Sequence, residues 1–310
     1  MRGRNTVGAV RHRRRNSRSR RGVASIIGAL LALLIFLVAF GLVLTEAVPV
    51  WMAQDEGALS RGVTGALTDL QSTLTVQAST GAPRTAFTPL PLGSGSVPVL
   101  AVPTVGSAEF LSGTPTGFLN ISWTNATTGM SQFANVSLGA LEVHLPNRYT
   151  APQSLTMEDG AVLASQGTEP TMMAYPPAFS ILPGPRGASV ALTVVSMVGV
   201  SESVSGPGTQ EIVDTLVSSA TFRTTANAST GPAGAFTFVI GNEYSCAWGG
   251  YLAATAAGAG LSPSEYTLTG PTSCTGSQPS FAIVAFSIHA IASMNLTVSD
   301  AAVSFAAGAG

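Results

Sequence analysis

The sequence predicts an α+β protein: a long N-terminal transmembrane helix continues as an amphipathic helix, and a β-rich, sandwich-like extracellular domain follows. Three observations support this. Residues 23–45 carry no charge, five apolar residues then recur at helical spacing, and the remainder alternates apolar and polar residues in short runs. The predicted divisions are a basic cytoplasmic leader (1–22), the transmembrane helix (23–45), its helical extension (46–78), a linker (79–98) and the β-rich domain (99–310).

The uncharged segment is long enough to cross a membrane once. A helix needs about 20 predominantly apolar residues to cross a hydrocarbon core of about 30 Å, and residues 23–44 meet this requirement. The alternative is a removable secretory signal peptide, which has a shorter apolar region of about 7–15 residues before a small-residue cleavage site. Residues 46–49 do not resemble such a site.

The distribution of charge predicts the orientation in the membrane. Nine of the 14 basic residues lie within the first 21 residues, and the flank rich in Lys and Arg stays in the cytoplasm. The chain beyond the span is therefore expected outside the cell, with a net charge of 5 − 15 = −10. An arginine run can also bind nucleic acid, but contact with anionic membrane lipid explains this one. We therefore expect no nucleic-acid partner.

An amphipathic helix is predicted directly after the span. Apolar residues spaced by three or four positions lie on one helix face, and the five that do so here are Leu59, Val63, Leu67, Leu70 and Leu74. Pro49 removes a backbone donor and predicts a kink near residues 50–51, where Trp51 is placed as an interfacial anchor. The alternative interpretation is a short juxtamembrane stalk.

The junction between leader and span resembles a known processing signal. The leader ends in Arg21-Gly22, and the span opens with the run Val23-Ala24-Ser25-Ile26-Ile27-Gly28. This arrangement resembles the class III signal of archaeal type IV pilin-like proteins. In that family a membrane prepilin peptidase cuts on the cytoplasmic side of the apolar segment. The resemblance therefore implies cleavage after Gly22, a mature chain that begins at Val23, and a helix that anchors the subunit and can pack with other pilin-like subunits. Many bacterial pilins have glutamate at the fifth mature position, where this chain has Ile27.

The resemblance extends into the outer region. Several segments are similar to uncharacterised archaeal membrane-anchored surface proteins with the same leader: 138–142, 146–149, 158–162, 176–179, 198–200 and 204–209. That family carries no established activity. The similarity therefore implies an architecture and no mechanism.

The β-rich prediction depends on alternation between turn residues. The alternating apolar positions are Leu119, Ile121 and Trp123; Val136 and Leu138; Phe236, Phe238 and Ile240; and Met294, Leu296 and Val298. The nearly continuous apolar run 281–291 predicts a doubly covered strand or a buried segment. Proline-rich composition predicts an irregular linker at 79–98 and a long loop at 167–187, which could separate two sub-domains.

Asparagines beyond the span favour glycosylation. Five of the seven begin an Asn-x-Ser/Thr triplet: Asn120, Asn125, Asn135, Asn227 and Asn295. Only about one or two such acceptors are expected by chance. Residues i and i+2 of a strand share a face, so several triplets are predicted on solvent-facing strand surfaces. The alternative is that they are ordinary polar faces of half-exposed strands.

Both cysteines, Cys246 and Cys274, lie beyond the span. An even number of cysteines outside the cell is most simply a disulfide, and closing this loop contributes about 3 kcal/mol to stability in the chain-entropy model. Two free buried cysteines are the alternative.

No catalytic residue, metal site or cofactor is predicted. Outside the leader the chain has two histidines, His144 and His289, too few and too isolated for a zinc motif. His289 lies in an apolar run and is expected in the core. The acidic pairs 55–56 and 158–159 are expected in solvent, and there is no Gly-x-Ser-x-Gly elbow.

The resulting functional prediction is a non-enzymatic, pilin-like structural or adhesive protein at the cell surface. Its expected partners are membrane lipid, the prepilin peptidase, pilin-like subunits and an extracellular glycan or surface. One rival is a stand-alone receptor or binding protein that keeps its arginine leader. A second rival is a surface hydrolase, which requires a cleft that gathers a serine, His144 or His289, and an acidic residue.

Overall fold

The computed structural model of the chain describes residues 17–95, 101–113, 117–125, 128–225, 234–273 and 281–306, with side chains from residue 26 onward. The chain divides into two compact units, Met1–Trp51 and Met52–Gly310. Helix α1 (Ser17–Leu42), a π-helical turn (Val43–Ala47) and helix α2 (Val48–Thr80) follow one another, and helix α3 spans Ser245–Gly258. Sixteen strands in the described residues make the second unit β-rich. The predicted α+β class, a long apolar N-terminal helix followed by a β-rich region, is confirmed.

The strands form three sheets. Their bounds are β1 (Thr85–Pro91), β2 (Ser107–Leu111), β3 (Gly117–Thr124), β4 (Ser131–Ser137), β5 (Ala140–Leu145), β6 (Gln153–Glu158), β7 (Ala161–Gln166), β8 (Met172–Tyr175), β9 (Phe179–Leu182), β10 (Ala188–Val198), β11 (Glu202–Ser205), β12 (Thr209–Thr225), β13 (Phe236–Asn242), β14 (Tyr266–Thr269), β15 (Ala282–Ile288) and β16 (Ile291–Ala306). Sheet A has the order β1-β12-β16-β10-β9, sheet B β11-β2-β5-β6-β7-β8, and sheet C β14-β15-β13-β3-β4. Strands β10 and β16 pair in parallel, and the other pairs are antiparallel.

Two apolar cores hold the second unit together. Core 1 contains residues of sheet C, α3 and one half of sheet A. Core 2 contains residues of α2, sheet B and the other half of sheet A. In β10, Val194 belongs to core 1 and its neighbour Val195 to core 2. Because successive strand residues point to opposite faces, sheet A contributes one face to each core.

The apolar face of α2 is part of core 2. All five residues that the helical spacing predicts on one face are buried: Leu59, Val63, Leu67, Leu70 and Leu74. The predicted amphipathic helix is therefore confirmed. The alternative of a juxtamembrane stalk is wrong, since a stalk would leave this face in solvent.

Helical irregularity lies before Pro49. In the π-helical turn the Val48 amide donates to the Val43 carbonyl, and Pro49 occupies the first turn of α2, where a helix tolerates its missing N–H. The irregularity that we predicted near residues 50–51 is thus found one turn earlier.

Two segments predicted to be irregular contain strands. Strand β1 lies inside the proposed linker 79–98 and pairs with β12 along its whole length. Strands β8 and β9 lie inside the proposed loop 167–187. Each of the three is at the edge of its sheet. Strand β1 contains two prolines, which an edge strand tolerates because one of its sides needs no donor, whereas the prolines of 167–187 lie outside β8 and β9. The prediction of irregular structure is therefore wrong at 85–91, 172–175 and 179–182.

The apolar run 281–291 is also less buried than predicted. Strand β15 alternates, with Val284, Phe286 and Ile288 in core 1 and Ile283 half exposed on the opposite face. The alternating residues predicted in β3, β4, β13 and β16 do contribute to core 1.

Candidate functional site

Helix α1 presents an uncovered apolar surface. Its large side chains are exposed between Ile26 and Leu42, and none of the apolar 18-residue window is buried. One helix near the N-terminus of the described residues is long enough and apolar enough to cross a membrane. The implied cleavage residues Arg21, Gly22 and Val23 lie within the bounds of α1. Whether cleavage occurs there stays a prediction.

A buried carboxylate joins α2 to the loop between β5 and β6. Glu56 Oε1 accepts hydrogen bonds from the Arg148 amide (2.7 Å) and the Thr104 hydroxyl (2.7 Å). Its Oε2 accepts from the amides of Tyr149 (3.0 Å) and Thr150 (2.8 Å) and from the Thr150 hydroxyl (3.0 Å). Burial alone would raise the pKa of Glu56, but these hydrogen bonds outweigh it and hold the pKa below its ordinary value. The prediction that Glu56 lies in solvent is wrong.

The second acidic pair is buried where β6 leads into β7, with Glu158 at the end of β6 and Asp159 in the turn. Asp159 and Gly160 have φ angles of 51° and 74°, the left-handed conformation that a two-residue hairpin turn requires. Asn242 Nδ2 donates to Glu158 Oε1 (2.7 Å). Glu158 Oε2 and both carboxylate oxygens of Asp159 have no partner among the described residues. Gln71 of α2 donates to the Gly160 carbonyl and so covers the turn.

Both carboxyl groups in this turn therefore favour the protonated form. Burial raises the pKa of Glu158 well above its ordinary value, and the neighbouring charge of Asp159 raises it further. Burial also raises the pKa of Asp159. The expectation that this pair is solvated is wrong, because the hairpin turn is enclosed by α2 and by the end of β13.

A group of polar side chains that contact one another lies around His144 on one face of sheet B. His144 Nδ1 lies 2.8 Å from Ser154 Oγ, and its Nε2 lies 3.5 Å from Glu142 Oε2. The hydroxyl of Tyr244 donates to Glu142 Oε1 (2.9 Å) and accepts a hydrogen bond from Thr156. Strand pairing places Ser154 opposite His144, and Glu142 shares the face of His144 as its i−2 neighbour. Histidine and serine here border a hollow of about 230 Å³.

His289 lies outside the core, contrary to prediction. It is exposed at the end of β15, where its Nε2 is 2.8 Å from the Thr267 hydroxyl and its Nδ1 is 3.0 Å from the Ser264 carbonyl oxygen. Alternation along β15 explains the error, since Ile288 takes the buried position.

The described sequon asparagines lie on strands or in a turn. Asn120 and Asn135 face one another on β3 and β4, Asn295 lies on β16 beside Arg223, and Asn125 begins the turn after β3. Asn227 lies outside the described residues. Glycosylation at these positions stays a prediction.

Cys246 is buried in α3 and is not a free cysteine, whereas Cys274 lies outside the described residues. Their pairing stays a prediction. Cys246 also borders a hollow of about 510 Å³ between α3 and β8, which sequence reasoning did not anticipate; Met172, Met173 and Tyr251 line it. Among the described residues no group of three or more His, Cys, Asp or Glu side chains could hold a metal ion.

Comparison with known proteins adds no assignment: no family model, no curated protein and no solved structure matches the chain. Function is therefore inferred from geometry. Sequence reasoning missed the burial of Glu56, Glu158 and Asp159, although the Asp-Gly pair at 159–160 is a recognisable hairpin signal.

Proposed function

We propose that the chain is a pilin-like cell-surface protein, anchored by α1 in a membrane and acting as a structural or adhesive subunit. One observation carries the proposal. The apolar face of α2 is covered by core 2, whereas the large apolar side chains of α1 are uncovered. Such a surface needs lipid or other apolar helices around it.

The proposed topology follows from the leader. The arginines before α1 would keep the N-terminus in the cytoplasm. The protein would then cross the membrane once, with its β-rich unit outside the cell. We interpret that unit as sandwich-like, because sheet A contributes opposite faces to two cores. The prepilin peptidase would act between Gly22 and Val23, and like subunits would contact α1.

Mass spectrometry of the mature N-terminus from native membranes tests the processing step. The proposal predicts a chain that begins at Val23. Recovery of the arginine leader would exclude this processing and favour the stand-alone receptor. Recovery of a chain that begins after Ala47 would mean that the protein is secreted and that the anchor is wrong.

Assembly through α1 can be tested by disulfide cross-linking in native membranes. Phe36 in α1 and Val76 in α2 are equally exposed, at 61%, and form a matched pair. Phe36→Cys is expected to yield covalent dimers under oxidation, and Val76→Cys is the control with few or none. Equal cross-linking of both variants would indicate random collision, and no cross-linking of Phe36→Cys would contradict assembly through this part of α1.

A second candidate function is ester or amide hydrolysis at Ser154. The contact of Ser154 with His144, and of His144 with Glu142, favours it, because a base held by a carboxylate can activate a hydroxyl. A fluorophosphonate probe that labels Ser154 in the wild type, but fails with His144→Ala, would support hydrolysis. Equal labelling of wild type and Ser154→Ala would exclude this serine.

A further inference from the structure

Three sequon asparagines lie in strands, and they differ in how their side-chain amides are held. Asn135 is exposed on β4, an edge strand of sheet C. Asn295 is exposed on β16 in sheet A. Asn120 is half-buried on β3, between β4 and β13. An N-linked glycan is attached to the Nδ2 atom of asparagine, so the environment of that atom decides which residue can carry one.

In the pair on sheet C, the two amides are not equivalent. Asn120 Nδ2 donates a hydrogen bond to Asn135 Oδ1. Asn120 thus uses its Nδ2 within the sheet, whereas Asn135 uses only its carbonyl oxygen in this contact. Directly opposite residues have Cβ atoms about 4.5–5.5 Å apart, too close for two bulky glycans side by side. The greater exposure of Asn135 and its edge position leave room for a sugar there.

Asn295 lies on β16, an inner strand of sheet A, but its side-chain amide is held as that of Asn135 is. Its Oδ1 accepts a hydrogen bond from Arg223 Nε (3.3 Å), which leaves Nδ2 outside this contact. The neighbour on its other side is Ala191, a small side chain. Two hollows of about 320 and 370 Å³ meet at Asn295. Hydroxyl groups border them, from Ser180, Ser189, Thr193, Thr225 and Ser293, and can hydrogen-bond to a sugar ring.

We propose that Asn135 and Asn295 carry N-linked glycans and that Asn120 does not. In the transfer, the Nδ2 atom forms a bond to C1 of the sugar and loses a proton. The bond between C1 and the phosphate oxygen of a lipid-phosphate-linked oligosaccharide breaks, and the lipid phosphate leaves. Asn120 instead orients the Asn135 amide through its hydrogen bond. This inference rests on the proposed function, since it requires the β-rich unit to lie outside the cell.

The test is glycopeptide mass spectrometry of the full chain purified from its native membranes, with three variants that each destroy one triplet and keep its asparagine. Ser137→Ala and Thr297→Val are each expected to remove the mass of one glycan, from Asn135 and Asn295 respectively. As a control, Thr297→Ser keeps the Asn295 triplet and is expected to keep the glycan on Asn295. Ser122→Ala removes the Asn120 triplet and is expected to leave the number of attached glycans unchanged.

A glycan found on Asn120 would overturn the proposal, as would an unmodified Asn135 or Asn295. The same sample reports its N-terminus separately. A chain that begins at Val23 but lacks these glycans would contradict this inference and leave the anchoring proposal intact. A chain that begins after Ala47 would contradict the anchor whatever the glycans show.

Discussion

Leu31 in α1 and Leu67 in α2 are the same residue type in the same secondary structure, yet Leu31 is 57% exposed and Leu67 is fully buried. The difference is explained by the pattern around them. Residues 26–42 are apolar on all sides of the helix, whereas α2 concentrates its apolar residues on one face and places polar residues elsewhere. Uniform hydrophobicity suits lipid on every side, and a single apolar stripe suits one protein core. The two neighbouring helical segments are therefore suited to different surroundings: α1 to lipid and α2 to a protein core.

The largest expected effect is the difference in unfolding free energy between alanine substitutions at the two leucines. Leu67→Ala should lower the free energy of unfolding by about 2–5 kcal/mol, because it leaves a cavity in core 2. Leu31→Ala should leave it unchanged within about 0.5 kcal/mol. Denaturant titration of the detergent-solubilised chain, followed by fluorescence of the buried Trp123 and Trp248, measures both. An equal loss from the two substitutions would contradict the comparison.

The next effect concerns the carboxylate that ties α2 to the β5–β6 loop. Glu56→Ala should destabilise by about 3 kcal/mol, because three loop amides would lose their acceptor. Since the folded pKa of Glu56 is lowered, its contribution is complete above the ordinary value of 4.5 and is lost as pH falls through the folded pKa. The variant should thus lose this acid-dependent part of the unfolding free energy. Glu169→Ala, at an exposed site, is the control and should leave the free energy of unfolding at neutral pH unchanged.

The carboxyl group of Asp159, in the turn that α2 covers, has the opposite effect on stability to that of Glu56. Because burial raises the folded pKa of Asp159, its charge costs stability increasingly as pH rises from its ordinary value of 3.8 through the folded pKa. Asp159→Asn, which tolerates the positive φ, should therefore stabilise the protein by about 1 kcal/mol at neutral pH and by less in acid. The exposed Asp69→Asn on α2 serves as control. Destabilisation at neutral pH would show that the ionised carboxylate has a favourable partner.

The smallest expected effect compares two helical glycines with open space around them, Gly65 in α2 and Gly28 in α1. Gly65→Ala should raise the free energy of unfolding by about 0.5–1 kcal/mol through helix propensity. Gly28→Ala should leave the unfolding of the β-rich unit unchanged. The denaturant titration used for the leucines detects the difference, and a stabilisation by Gly28→Ala of the same size would mean that α1 and α2 unfold together.

Much of the fold could be predicted from the local spacing of apolar residues. Helical spacing from Leu59 to Leu74 predicted which face of α2 is buried, and alternation predicted the inward residues of β3 and β13. These predictions succeeded because periodicity reports the geometry of a single element. Strand β1 was missed because Pro89 and Pro91 suggest a loop, and its pairing partner β12 lies far along the chain.

The site was harder to predict than the fold. The donors that bind Glu56 lie 48 to 94 residues away, and the groups that enclose Asp159 belong to other elements. The Asp159-Gly160 pair indicates a hairpin turn, but nothing local indicates that these acids are buried. The amide geometry of Asn120 and Asn135 likewise depends on strand register, which a one-residue shift would change.

Labelling by a lipid-soluble, photoactivated carbene reagent tests the central claim most directly, since it identifies the side chains that contact the hydrocarbon of a membrane. With the full chain in native membranes, we expect adducts within residues 26–42 of α1, on the side chains that face lipid. We expect none on the buried face of α2, which consists of Leu59, Val63, Leu67, Leu70 and Leu74. Adducts on those α2 residues, or the absence of adducts from residues 26–42, would contradict the assignment of α1 to lipid and α2 to the protein core.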